Sequence, residues 1–295
     1  MGQPFCTSGP VPPDSPAYVE RETDHQLRRC LLAMDWVLLS APRQMGKTSL
    51  IHRLQAQLAE SGYATIYIDV RRSEHWELLT LLQTLAKRAE DTSERMIVAL
   101  DELNGVPESL LHTLKGLLIA RRAEPRLGNL AFILAGEFAG RILPIREVAL
   151  KDFYRPHVRQ LVDLLGAEGD LAEAITDRVY YWTGGHPYLT QKMCSLLAEG
   201  DLPLTAKSTD QAARRIWEED AAHIPYVLEK LDAVPKAGEQ LERILRGEKV
   251  RFNPASELAI IGVVKDDGYG HCVVRNRIYE KALVASGRVK GPRST

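Results

Sequence analysis

Apolar positions follow two periods along this 295-residue chain, and the places where the period changes carry most of the information. Trp36-Val37-Leu38-Leu39-Ser40 is short, continuous and partly β-branched, which predicts a buried strand. Leu50, Ile51, Leu54 and Leu58 then recur at helical spacing until Gly62 ends the pattern. The alternation repeats. Ala64–Val70 reads as a second strand, Leu78, Leu79, Leu82 and Leu85 as one helix face, and Met96–Leu100 as a third strand. Leu110, Leu111, Leu114, Leu117 and Leu118 mark the next helix, followed by strands at Ala131–Ala135 and Glu147–Leu150. An earlier helix runs from Thr23 through Leu27, Leu31 and Leu32. Strands alternating with helices at these intervals imply an α/β fold, a parallel sheet covered on both faces with its site at the carboxyl edge.

After Phe153 the alternation stops and helical spacing dominates. Leu161, Leu164 and Leu165 mark one helix; Ile175, Val179 and Trp182 mark another, ending at Thr183-Gly184-Gly185. His186-Pro187-Tyr188-Leu189 opens a third, and 205–233 reads as one longer connecting helix with Ile216, Trp217 and Ile224. From Leu241 the pattern tightens into a helix, a short helix near Glu257–Ile261, strands at Val263–Lys265 and Cys272–Arg275, and a last helix after Tyr279. Helices followed by a hairpin predict a small winged-helix module. The boundaries read as a strap over 1–22, a core over 23–153, a helical lid domain over 154–235, the winged helix over 236–285 and a Gly-, Lys- and Arg-rich tail over 286–295.

The chemistry is concentrated in the link between the first strand and its helix, Ala41-Pro42-Arg43-Gln44-Met45-Gly46-Lys47-Thr48. A strand, a loop ending in Gly-Lys-Thr and a helix make a phosphate cradle, with loop N–H groups turned inward and a helix N-terminus behind them. Lys47 can reach the β- and γ-phosphates, and the Thr48 hydroxyl can ligate Mg²⁺. Arg43, Gln44, Met45, Gly46 and Ser49 complete the nucleotide-binding candidates on this loop. The strict pattern has Gly at the first position, where this chain has Ala41; a Cβ there is a drawback if the backbone must be unusual. About fifty residues further on, the third strand ends in Asp101-Glu102. Asp101 is then placed to hold Mg²⁺ through water and Glu102 to polarise the attacking water, which makes Glu102 and the phosphate-contacting Lys47 the catalytic candidates. The adjacent Glu points to ATP hydrolysis rather than GTP hydrolysis, and no Asn-Lys-x-Asp guanine signature occurs.

Other candidates keep two readings each. The Pro- and Gly-rich strap with Tyr18 can lie against adenine or ribose, or only pack. Thr183-Gly184-Gly185-His186-Pro187 is helix punctuation that also brings His186 and Pro187 within reach of a nucleotide. Glu137 and Arg141 are candidates for a γ-phosphate sensor, and Arg141 or Arg146 for a transition-state arginine in a neighbouring subunit; each also reads as surface charge.

Composition narrows the classes. The chain is 45% hydrophobic and 26% charged with formal net charge −1, so no whole-molecule field draws it to nucleic acid or anionic membrane. Cys6, Cys30, Cys194 and Cys272 lack metal-ligand spacing and read as reduced structural thiols. No apolar run is long enough for a membrane span and the first residues lack signal-peptide order, so cytoplasm is the expectation. Residues 236–295 hold 12 Lys and Arg against 7 Asp and Glu, a local excess of +5 that makes DNA a possible partner of the winged helix.

Gly9-Pro10-Val11, Tyr18-Val19-Glu20-Arg21, Pro42–Leu50, Thr183–Gln191 and Arg275–Tyr279 together resemble the AAA-like domain of bacterial STAND-type signalling ATPases. The resemblance implies an AAA-type core, a helical lid and a winged helix that bind ATP or ADP with Mg²⁺. It assigns Lys47 and Thr48 to phosphate and metal, Asp101 and Glu102 to the acidic pair, and the Gly184–Pro187 corner to the nucleotide. It implies a slow ATP-dependent switch that opens or self-associates to control an effector, which in such proteins is a further domain and here lies outside the matched segments. Its rivals are a DNA-handling ATPase that uses the basic winged helix, and a scaffold that holds nucleotide without turning it over.

Overall fold

The computed structural model describes residues 4–104, 108–138 and 143–290. The Asp24 carboxylate accepts the Arg21 backbone N–H and closes the first turn of α1 (Glu22–Leu32). β1 (Val37–Ser40), β2 (Ala64–Asp69), β3 (Met96–Asp101), β4 (Leu130–Gly136) and β5 (Arg146–Ala149) form one parallel sheet in the order β2-β3-β4-β1-β5. α2 (Lys47–Glu60), α3 (His75–Asp91) and α4 (Glu108–Ala123) connect the strands. Every residue of β3 and β4 is buried, as interior strands of a parallel sheet covered on both faces require. Register sets Ser40 beside Gly136 and Ala149, and Asp69 beside Asp101. The loop after β1 and the carboxylates of β3 therefore leave the sheet at one edge. Arg146 opens β5 opposite Val37, at the other edge of the sheet. Arg141 lies outside the described residues.

The rest of the chain builds a second core. α5 (Arg155–Asp163), α6 (Gly169–Thr183), α7 (Pro187–Ala198), α8 (Ala206–Glu219) and α9 (His223–Asp232) are followed by α10 (Ala237–Leu245) and α11 (Glu257–Ile261). β6 (Val264–Asp266) and β7 (Cys272–Val274) pair as an antiparallel hairpin, and α12 (Arg277–Ala285) closes the described fold. Val158, Val179, Leu189, Ile216, Val227, Leu241, Leu258 and Ile278 belong to one apolar cluster, joined by Ala17 and Val19 from the strap. The sheet and its helices have a separate cluster that ends at Leu150. Among the described residues, no helix is long and apolar enough to cross a membrane.

One expected element divides. Residues 205–233 form two helices rather than one, because Asp220 caps the second: its Oδ2 accepts the N–H groups of His223 (2.6 Å) and Ile224 (2.9 Å). Its Oδ1 accepts the Tyr188 hydroxyl at 2.9 Å, tying the break to α7. Pro225 then falls in the first turn of α9, where its missing N–H is harmless.

Candidate functional site

The loop after β1 curls because Gln44 (φ +66°) and Gly46 (φ +88°) are left-handed. Ala41 has no positive φ, so the substitution of the usual Gly there is free of strain. This corrects the drawback expected of that Cβ. Lys47, at the head of α2, is 6% exposed, and its ammonium donates to the carbonyls of Ala41 (2.8 Å) and Pro42 (3.0 Å). Burial lowers its pKa, opposed by the carboxylates of Glu137, Glu102 and Asp101. Burial in turn raises the Glu137 pKa, opposed first by Lys47. At the sheet edge Lys47 thus meets three acids, with Arg43 also close.

Thr48 and Asp101 meet as metal ligands would. The Thr48 hydroxyl donates to Asp101 Oδ2 at 2.6 Å, and the Tyr67 hydroxyl donates to the same oxygen at 3.1 Å. Glu102 is left-handed at φ +60°, a strained angle for a non-glycine residue. Its backbone N–H donates to Asp101 Oδ1 at 2.9 Å, while its carboxylate faces Arg71 (3.6 Å) and the Asn104 amide (3.4 Å). Asn104 also accepts the Glu137 N–H at 2.6 Å, which fastens the end of β4 beside Glu102. Arg71 and Asn104 escaped sequence reading because an arginine or asparagine after a strand has no diagnostic pattern.

Beside the loop lies a narrow cleft lined by strap and helical residues that include Tyr18, Arg21, Met45, Ser49, Pro187 and Gln191. The strap is fixed there: the Val11 N–H donates to Ser49 Oγ at 2.9 Å, and the Arg53 guanidinium lies 4.5 Å from the Tyr18 ring centre. The Tyr18 hydroxyl donates to Asp24 at 2.5 Å, and burial together with that carboxylate raises its pKa. Arg21 donates from Nη1 to the Met45 carbonyl at 3.0 Å and is buried, which lowers its pKa. Loop, strap and the Pro187 corner therefore share one cleft next to Lys47. The residues present fit a nucleotide: a loop with two left-handed residues, a buried ammonium, and a hydroxyl–carboxylate pair of the kind that can hold a divalent cation.

His186 is placed differently. It is 1% exposed, and its Nε2 lies 3.2 Å from the Tyr279 hydroxyl, which lies 2.7 Å from His223 Nε2. Among the described residues, Nδ1 of both rings is buried without a partner. Burial lowers both histidine pKa values, that of His223 to about 4 despite Asp220, with Arg275 and Lys265 adding to the effect on His186. An unfolded chain protonates these rings below about pH 6.5, whereas the folded chain resists until about pH 4 at His223. Stability is therefore full above this window and falls as pH drops through it. His223 alone is expected to cost on the order of 2 kcal/mol at pH 5 relative to pH 7.5. Urea titrations at the two pH values check this, and His223→Gln is expected to flatten the difference.

The C-terminal segment rests directly on the phosphate loop. A Cβ added to Gly262, itself at φ +86°, would stand 2.6 Å from Pro42 Cβ. Arg275 donates from Nε to the Gly262 carbonyl (2.7 Å) and from Nη1 to Asp152 (3.1 Å), and also reaches Met45 Sδ at 3.9 Å. Lys265 pairs with the same Asp152 at 3.1 Å. From α9, the Tyr226 ring lies 4.2 Å from the Arg43 guanidinium. Sequence reading missed the Arg275–Asp152 pair, since residues 123 positions apart leave no local signal.

Comparisons with known proteins agree on the core. The profile of an AAA-like domain matches residues 6–100. An uncharacterised WD repeat-containing protein of Synechocystis sp. is 24% identical over a 275-residue alignment that takes in 73% of this chain and 23% of that protein. The chain thus spans under a quarter of that relative's length. Among solved structures, the Thermotoga maritima RuvB Holliday junction branch migration motor matches with a TM-score of 0.52 at 14% identity, covering 93% of this chain and 96% of that one. A variant of the same motor gives 0.51 at 15% identity with the same coverage. The fold is that of an AAA-like P-loop ATPase.

Proposed function

We propose that this chain is an adenine-nucleotide switch of the STAND signalling type, in which the bound nucleotide decides whether the C-terminal segment stays seated on the phosphate loop. The observation that carries this is the contact of Gly262 and Arg275 with Pro42 and Met45, on the loop that would hold the phosphates. Lys47 donates to two carbonyls of that loop, so a triphosphate that claims the ammonium must release them. A change of loop shape is then passed to Gly262, which has no spare room.

In this reading 154–235 acts as a helical lid domain and 236–285 as a winged helix that ADP keeps closed and ATP releases. Tyr18 and Pro187 border the base, and the loop residues Arg43 to Ser49 border the phosphates. Magnesium, when bound, supplies charge neutralisation between phosphate oxygens, and Thr48 and Asp101 are the residues to hold it. Glu102 polarises water, and Arg71 and Asn104 restrain its carboxylate until then. Moving such an equilibrium from mostly closed to mostly open requires the two nucleotides to differ by about 5 kcal/mol in their preference for the two states. Lys47, the metal and Arg43 reading one extra phosphate are of a size to supply it. The output is control of an effector by opening or self-association.

DNA is the less favoured partner. Arg243, Arg246, Lys265, Arg275 and Arg288 of the basic segment each already hold a carboxylate.

Glu102→Gln tests the proposal. It is expected to keep ATP binding, to slow phosphate release by about 10²-fold or more, and to show a larger scattering radius with Mg·ATP than with Mg·ADP. Release at the wild-type rate would favour a scaffold that does not hydrolyse. Equal radii in the two nucleotides would contradict the switch.

A further inference from the structure

The cleft beside the loop contains a buried side chain that is anchored at one end and unbonded at the other. Gln191 of α7 is 4% exposed and donates from Nε2 to the Ala17 carbonyl at 2.7 Å. A carbonyl can only accept, so this bond fixes the amide orientation and leaves Oε1 as the outward atom. Among the described residues that oxygen is buried with no partner. Arg21 is held at both ends: Nη1 donates to the Met45 carbonyl, and Nε lies 3.7 Å from Asp24 Oδ2. Both residues line the same cleft, with Pro187 and Phe153 as apolar neighbours. Buried polar atoms are normally satisfied, so a lone acceptor on a narrow cleft marks a place for a ligand's donor.

We propose that Gln191 selects the base: its Oε1 accepts the exocyclic amino group of a 6-aminopurine nucleotide. This rests on the nucleotide reading above and adds the residue that sets base choice. A 6-oxopurine reverses this role: its carbonyl would face Oε1 acceptor to acceptor. A site built to bond one pattern and left unpaired by the other discriminates strongly.

Direct binding of ATP and inosine triphosphate, which carries the 6-oxo group, tests this on the wild-type chain. ATP is expected to bind about a hundredfold more tightly. Gln191→Met, similar in length and without the acceptor, is expected to lose about tenfold for ATP while inosine triphosphate changes by less than about twofold. Equal wild-type affinities would overturn the proposal, as would a variant that weakens both nucleotides alike, which marks Gln191 as a support for the strap only. If the variant fails to fold, N6,N6-dimethyl-ATP on the wild-type chain keeps the test: with no amino donor it is expected to bind as poorly as the 6-oxo compound, and binding as tight as ATP would overturn the proposal. Binding of both nucleotides with equal strength leaves the phosphate reading standing and removes only base choice. Binding of neither overturns both.

Discussion

Replacing Lys47 by alanine is expected to raise the dissociation constant for Mg·ATP by about two to three orders of magnitude. The ammonium is buried at the phosphate loop's exit into α2, and it faces Glu137, Glu102 and Asp101. Charge-assisted bonds to phosphate are worth about 1.5–3 kcal/mol each, and every 1.4 kcal/mol is about tenfold in affinity. Without Lys47 the triphosphate also meets that acidic edge uncompensated. The fold itself is expected to change little, because two carbonyl contacts roughly offset the cost of burying the ammonium. Displacement of a fluorescent nucleotide measures the change; an affinity within about twofold of wild type would contradict this role.

The second large effect is structural. In Gly185→Ala the added Cβ would stand 1.9 Å from the Phe153 carbonyl oxygen, at a backbone φ of +78°. The same two residues share a backbone bond, Phe153 N–H to the Gly185 carbonyl at 2.7 Å, so neither side can retreat without breaking it. Backbone strain of about 1–2 kcal/mol and overpacking of about 1–3 kcal/mol add to a loss of about 3 kcal/mol or more. Gly200→Ala is the control: its φ is +83°, but a Cβ there meets nothing within 4 Å. It is expected to lose only the strain. Denaturant midpoints of the two variants separate the contributions, and equal losses would mean that the corner before α7 is not closely packed against the start of the helical segment.

Much of the core was legible before any coordinates because its signals are local. Trp36–Ser40, the Gly46-Lys47-Thr48 run and Leu50–Leu58 state a strand, a turn and a helix within about twenty residues, and Asp101-Glu102 ends a run of five apolar residues. The β-hairpin was legible for the same reason: Asp266 and Asp267 each accept two backbone N–H groups of their own turn. The misses are all long-range or side-chain decisions. The break between α8 and α9 depends on a carboxylate turning back on N–H groups three and four residues later, which apolar spacing does not encode. His186 looked like a nucleotide contact because Gly-Gly-His-Pro places it at a corner, yet its ring is drawn to Tyr279, 93 positions away. Gln191 is unremarkable in a string of letters; its interest lies in one bonded and one unbonded end. Ala41 shows the opposite error, since a motif position was weighed by its usual residue rather than by the φ it needs.

The most direct measurement is titration calorimetry of the nucleotide-free chain with ATP and magnesium. A saturable heat with one site per chain, weakened when magnesium is chelated and lost in Lys47→Ala, is expected if the loop after β1 grips a triphosphate. Absence of any heat of association up to about 1 mM nucleotide would contradict it, and the switch built on that grip would go too.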